Sequence, residues 1–300
     1  MRPIQPRCAS WIVPVSLAVL VAGCGKAPAG SRDGTSEGAD AAFQPLRIAA
    51  ASDLQRVLPR LIERFQSISG VTTTLTLDAS GRLAEQIKAG APYDLFLSAN
   101  QKFVEDLANL KLVVADSIRS YAKGTLVLCV HPEAGDEIRS LDDLTRPEIK
   151  RIGIANPEYA PYGVAAKQAL ENAGLWEKVE PRIVRADSIR QTLVYVENGE
   201  VEAALVSRSL IGDTKLRVID IDPRFYKPLI QAMGIVADSK QIENARAFEQ
   251  FVLSEESQNI LHEAGFAAPA VSSNAGTSSG ESSPEPKAVE STPAKPGAGQ

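Results

Sequence analysis

Apolar positions recur along the chain with two different periods, and the two alternate. Residues 46–51, apolar except for Arg47, read as a strand. Directly after it, Leu54, Val57, Leu58, Leu61, Ile62 and Phe65 fall on one face at helical spacing, which predicts a helix over 53–65. Residues 72–77 alternate and are rich in β-branched side chains, so they predict a strand. A short helix over 83–89 turns Leu83, Ala84 and Ile87 inward. The exchange continues with strands at 94–98, 125–130, 152–155, 182–184, 203–206, 217–219 and 229–236. Helices are predicted over 101–107, 164–173, 189–196, 242–253 and 257–264, with a short element at 141–144 before Pro147.

Strand–helix alternation implies an α/β fold with mostly parallel, helix-covered sheet. About ten strands suit two five-stranded lobes better than one sheet. The pattern stops at both ends. Residues 268–300 hold Ser, Gly, Ala and repeated Pro, with only Val271 and Val289 as larger apolar residues. Such a segment buries too little surface to offset its chain entropy, and a disordered tail is expected there. Residues 25–45 have the same character. The foldable part is therefore 46–267, enough for two lobes with their own cores.

The formal net charge is −5, and no Lys/Arg run or basic stripe occurs, which argues against a nucleic-acid surface. Two histidines (His131, His262) and three cysteines (Cys8, Cys24, Cys129) make a zinc site or a His-dependent triad improbable. Residues 1–24 read as an export signal: Arg2 and Arg7 precede an apolar run, 11–23, too short to span a bilayer. The run ends in Val21-Ala22-Gly23-Cys24, which resembles a bacterial lipobox and marks Cys24 for lipidation. Residues 25–45 then act as a flexible tether. The expected location is outside the cytoplasm, periplasmic or on the cell surface, anchored to a membrane through Cys24. Cys129, inside the run 126–130, is left as a small core hydrophobe without a disulfide partner.

Chemistry concentrates at strand-to-helix junctions. Three carry a small hydroxyl residue where a helix should begin: Ala51-Ser52-Asp53-Leu54, Ala79-Ser80-Gly81-Arg82 and Asp187-Ser188-Ile189-Arg190. A fourth, Asn156 to Val164, opens a helix through a loop containing Pro157, Pro161 and Gly163. A helix N-terminus leaves amide N–H groups unpaired and carries partial positive charge. Several termini converging on one point form an anion site without Lys or Arg. Taken one at a time, each Ser is better explained as an N-cap.

The block Ala79-Ser80-Gly81-Arg82-Leu83-Ala84-Glu85-Gln86-Ile87-Lys88-Ala89-Gly90-Ala91-Pro92-Tyr93-Asp94-Leu95-Phe96-Leu97-Ser98-Ala99 resembles the molybdate-binding proteins of ABC transporters, of the periplasmic binding protein type II family. Ala49-Ala50-Ala51-Ser52, Asn156-Pro157-Glu158, Pro161-Tyr162-Gly163, Ala166-Lys167, Ser188-Ile189-Arg190, Gln258-Asn259-Ile260-Leu261 and Gly265-Phe266 extend the resemblance over 46–267. It implies a two-lobed α/β fold with mixed sheets and crossing strands, with lobe 1 formed by 46–126 and 234–267 and lobe 2 by 127–233. It implies an oxyanion held by Ser52 and Ser80 through hydroxyl and backbone N–H, and by the backbone N–H of Tyr162 and Ile189. It further implies molybdate or tungstate as ligand, an ABC permease as partner, no cofactor and no catalysis. A monomer is expected.

Two positions depart from the family pattern. Where many members have a Tyr whose hydroxyl reaches the oxyanion, this chain has Ser207, a further candidate contact that needs help from water or Arg208. Where a small residue is usual it has Asp78, which repels a dianion, caps the helix from outside, or accepts a proton from a protonated ligand. An alternative reading therefore keeps the fold and changes the ligand to sulfate, phosphate or an organic anion. An exported serine hydrolase is the remote alternative; the foldable part 46–267 lacks a Gly-x-Ser-x-Gly elbow, the two matches to that pattern, at 34–38 and 276–280, lying in the tether and the tail. Tyr226 and Trp176 read as packed aromatics, His131 as a surface residue, and Arg190 and Arg208 as solvated charges able to steer anions.

Overall fold

The computed structural model describes residues 44–269. The leader 1–24 with Cys24 lies outside the described residues, as do the tether 25–45 and the tail 268–300 apart from their inner edges. The strands are β1 (Leu46–Ala51), β2 (Thr73–Asp78), β3 (Leu95–Ser98), β4 (Arg119–Gly124), β5 (Leu126–Val130), β6 (Ile152–Ala155), β7 (Ile183–Ala186), β8 (Ala203–Ser207), β9 (Arg217–Asp220) and β10 (Leu229–Ile235). The helices are α1 (Leu58–Ser69), α2 (Ser80–Lys88), α3 (Gln101–Asn109), α4 (Pro161–Asn172), α5 (Trp176–Val179), α6 (Ile189–Glu197), α7 (Ile242–Val252) and α8 (Glu255–Glu263).

The strands form two five-stranded sheets, ordered β2-β1-β3-β10-β4 and β7-β6-β8-β5-β9. Within each, βαβ units give parallel pairs: β1 with β2 and β3, and β6 with β7 and β8. The sheets are mixed, however, rather than mostly parallel. β10 runs antiparallel to β3 and β4, and β5 runs antiparallel to β8 and β9. These are the strands that enter a sheet directly from the other lobe. They need no crossover helix, so nothing forces them parallel.

Only Thr125 separates β4 from β5, so the chain passes from one sheet into the other within a single residue. It returns through 221–228. Because β10 pairs with the first sheet from Leu229 onward, the lobe boundary expected at 233 falls inside a strand, and the second lobe ends before Leu229. Leu126 likewise belongs to the second sheet, opposite Ser207.

The strand that periodicity missed is β4. Its sequence Arg119-Ser120-Tyr121-Ala122-Lys123-Gly124 has no apolar run, and it lies at a sheet edge where only one neighbour covers it. Helix starts were also misplaced. α2 and α4 each begin three residues earlier than expected, at Ser80 and Pro161, because their first turns use small or Pro residues instead of apolar ones. Pro at the first helical position loses no hydrogen bond and has its φ preset. The helix expected over 53–65 divides into a 3-10 turn, Ser52–Leu54, and α1.

In the first lobe, α1 sends Leu58, Leu61 and Phe65 into the core, where Phe65 meets Phe248 of α7 edge-on at 5.0 Å between ring centres. Truncating such a ring costs about 3–5 kcal/mol. In the second lobe every residue of β5 is buried, Cys129 included, as a small core residue. Ala51, Ala79 and Ala99 of the first lobe pack onto this second core. Small side chains thus mark where the lobes meet.

Candidate functional site

Four strands end at the boundary between the lobes. Ala51 of β1 lies opposite Asp78 of β2, and Ala155 of β6 lies opposite Ala186 of β7. From these ends leave the 3-10 turn at Ser52, then α2 at Ser80, α4 at Pro161 and α6 at Ile189. Ser52, Ser80, Tyr162 and Ile189 thereby line one cavity, together with Ala51, Asp53, Asp78, Ala79, Ala99, Ala160 and Pro161. The cavity is small, about 10 Å³, room for about one water molecule.

The lining contains no Lys, Arg or His. What faces the space instead is the first turn of three helices and one 3-10 turn, whose amides have no intrahelical acceptor. Their aligned peptide dipoles favour an anion, against the two carboxyl groups, Asp53 and Asp78, on the same lining. Ala at 51, 79, 99 and 160 keeps the walls thin. Gly163 serves the same end: a Cβ there would collide with the Ala155 carbonyl, so only glycine lets α4 start so close to the end of β6.

The hydroxyls divide into two kinds. Ser188 is the N-cap of α6, and its Oγ accepts the Gln191 N–H at 3.2 Å. Ser52 and Ser80 are not caps. Ala51 and Ala79 occupy the cap positions and the serines are the first helical residues. Ser80 Oγ accepts the Ala99 N–H at 3.0 Å, which orients the oxygen and leaves its proton free to donate. Ser52 Oγ has no hydrogen bond among the described residues. Asp78, on the cavity wall, is paired: Arg82 Nε lies 2.9 and 3.1 Å from its two oxygens, and Oδ1 also accepts the Ala79 N–H at 2.7 Å.

Behind the cavity lies a buried polar cluster that sequence reasoning missed. Gln231 of β10 donates through Nε2 to Asp53 Oδ2 at 2.5 Å and to the Tyr162 hydroxyl at 3.3 Å. Its Oε1 accepts the Tyr121 hydroxyl at 2.7 Å. Ser209 Oγ donates to the Asp53 carbonyl at 2.8 Å and lies 2.7 Å from Ser207 Oγ. Asp53 is fully buried, and its Oδ1 has no partner among the described residues. Burial pushes its carboxyl up to about 6, against the opposing pull of bonds from Gln231 and Tyr162. Burial, and then the Asp53 charge, raises the Tyr121 and Tyr162 hydroxyls well above their ordinary range. The available signal was Gln231 itself, a long polar side chain inside an apolar strand.

The remaining candidates are placed as follows. Ser207 is buried in this cluster and does not line the cavity. Arg208 pairs with Asp220. Arg190 lines a separate open groove with Arg56 and Glu197. Tyr226 is buried, its hydroxyl accepting the Leu126 N–H at 3.1 Å. Trp176 is half-buried against the second core, with Lys167 Nζ 5.2 Å from its ring centre. His131, also half-buried, accepts the Glu133 N–H through Nδ1 at 3.3 Å.

Two mixed sheets, two chain crossings and a small cavity at the facing strand ends define a type II periplasmic binding protein. The family model for bacterial extracellular solute-binding proteins matches residues 46–267, and the chain belongs to that family. It is a protein of the binding class, not an enzyme. Over 228 residues it is 30% identical to the putative ABC transporter substrate-binding lipoprotein YvgL of Bacillus subtilis, covering 74% of this chain and 86% of that one. The molybdate-binding protein ModA of Escherichia coli is 26% identical over 227 residues, covering 74% and 88%. The solved periplasmic molybdate-binding protein of Azotobacter vinelandii superposes with a TM-score of 0.70 at 28% identity, covering 75% of this chain and all but 1% of the other.

Proposed function

We propose that this chain is the solute-binding component of an ABC transporter that captures molybdate or tungstate between its lobes and delivers it to a membrane permease. Ser52 and Ser80 donate through hydroxyl and backbone N–H, and Tyr162 and Ile189 through backbone N–H. The observation that carries this reading is the meeting of four strand-to-helix junctions around one small cavity whose lining has no cationic side chain. A tetrahedral dianion suits that set of neutral donors. The relatives named for molybdate binding support the ligand class. A lipid on Cys24 holds the protein at the membrane; Cys24→Ser should move it from the detergent phase to the aqueous phase, and an unchanged partition would refute the anchor.

Asp53 favours a second reading within the same fold. Asp53 is one of the residues lining the cavity and one of its oxygens has no partner among the described residues; an anion that keeps a proton, such as hydrogen phosphate, offers a donor to such an acceptor. Thermal unfolding with each oxyanion separates the two. Ligand at about 100 times its dissociation constant adds about 2.7 kcal/mol of stability. A shift with molybdate and tungstate supports the first reading, a shift with phosphate alone the second, and no shift with any oxyanion rejects both.

A further inference from the structure

Beside the cavity the lobes touch through a cluster that the proposed ligand contacts do not use. Arg82, in the first turn of α2, is held by Asp78 in its own lobe. Its guanidinium carbon also lies 4.8 Å from the centre of the Tyr159 ring, and Nη1 is 3.5 Å from Asp187 Oδ1. Tyr159 and Asp187 belong to the second lobe, in the loops that lead into α4 and α6. The Tyr159 hydroxyl donates to that same Asp187 oxygen at 3.1 Å, so the two acceptors are tied together. One residue earlier, the Gly81 N–H donates to the Tyr159 carbonyl at 2.9 Å. A Cβ on Gly81 would stand 2.8 Å from three Tyr159 atoms, so glycine is what allows this approach.

We propose that Arg82 is a clasp residue that holds the lobes together beside the cavity by tying α2 to Tyr159 and Asp187, and so sets how long a bound anion stays. The inference rests on the reading that this cavity holds an anion. Arg82 has contacts in both lobes when they are together and keeps only Asp78 when they part. Asp78 pre-orients the guanidinium, so less side-chain freedom is lost on closing. Two carboxylates surround one guanidinium, so the cluster is not a cationic lure. Its effect falls on ligand release more than on capture.

The test uses the full chain, with Arg82→Ala, Asp187→Asn and the double variant. Hydrogen exchange at the Gly81 amide reports the bond between the lobes. Release is read by loading molybdate and chasing with tungstate, followed by native mass spectrometry. Arg82→Ala loses an exposed ion pair and a cation–π contact, which together predict Gly81 exchange and molybdate release about three- to tenfold faster, whereas Asp187→Asn loses the ion pair alone and should speed both about two- to fivefold. The double variant should go no further than the stronger single. Asp187→Asn is decisive because it leaves the Asp78–Arg82 pair intact and acts from the opposite lobe. Unchanged Gly81 exchange in Asp187→Asn overturns the clasp, even if Arg82→Ala has an effect of its own. Should the wild-type chain take up no oxyanion, the proposed function fails, while Gly81 exchange without ligand still decides the clasp.

Discussion

Replacing Asp53 by Asn changes one buried group in a way that is readable against pH. The carboxyl is fully buried, with no cation in its ion-pairing range among the described residues, and burial lifts it from 3.8 to about 6. Each unit is worth about 1.4 kcal/mol, so ionised Asp53 weakens the folded state by about 3 kcal/mol once the pH exceeds about 6. The sign follows from proton counting. Below pH 3.8 the group is protonated in both states and has no effect. Between 3.8 and 6 the unfolded chain ionises first, so stability falls as pH rises, and the loss is complete above 6. For a protein of this size about 3 kcal/mol corresponds to roughly 6–12 °C in Tm. Calorimetric unfolding without added oxyanion, from pH 4.5 to 8, should show the wild-type Tm drop away from that of Asp53→Asn across this window. The Asn carbonyl still accepts from Gln231, so the variant keeps the cluster's main bond. Parallel Tm profiles for the two proteins would show that Asp53 is not held in a desolvated site and would refute the reasoning.

The two kinds of serine should separate cleanly. Ser80→Ala removes a donor to a charged ligand and should weaken oxyanion binding by roughly ten- to a hundredfold, whereas Ser188→Ala removes a cap and should cost about 0.5–2 kcal/mol of stability with affinity within about twofold; titration and unfolding of both variants check the contrast, and equal losses of affinity would contradict it. Burial pushes the Cys129 thiol up to about 12, so a thiol reagent at pH 8 should leave the native protein unlabelled and modify it only on unfolding; prompt labelling of the folded chain at Cys129 would be the opposing result.

Most strands were legible because short, largely apolar segments such as Leu46–Ala51 and Leu126–Val130 are too short for a helix. β4 was not legible, because a strand with Arg119, Ser120 and Lys123 is specified by its pairing with β10, which local sequence does not record. Strand–helix alternation by itself pointed to mostly parallel sheet, because it says nothing of a chain that leaves one lobe and enters another; the mixed sheets came from the resemblance and are what the structure has. At the site, Ser52, Ser80, Tyr162 and Ile189 could be named from junctions and resemblance together. That Ser188 is a cap while Ser52 and Ser80 are not depends on where each helix starts, by one residue, and periodicity does not resolve that. Asp53 was given no role from the sequence. Its burial follows from Gln231, Tyr121 and Tyr162, which arrive from three other parts of the chain. Asp78 kept three readings in sequence because its partner Arg82 becomes adjacent only when Ser80 begins a helix.

The account's central claim is that four junctions hold a tetrahedral oxyanion through neutral donors. Calorimetric titration of the wild-type chain and of Ser52→Ala/Ser80→Ala, at pH 7.5, with molybdate, tungstate, sulfate and phosphate in turn, tests it most directly. The account predicts one-site binding with molybdate and tungstate strongest, and a loss of roughly a hundredfold or more in the double variant. Absence of binding by every oxyanion, or equal binding by the double variant, would contradict it.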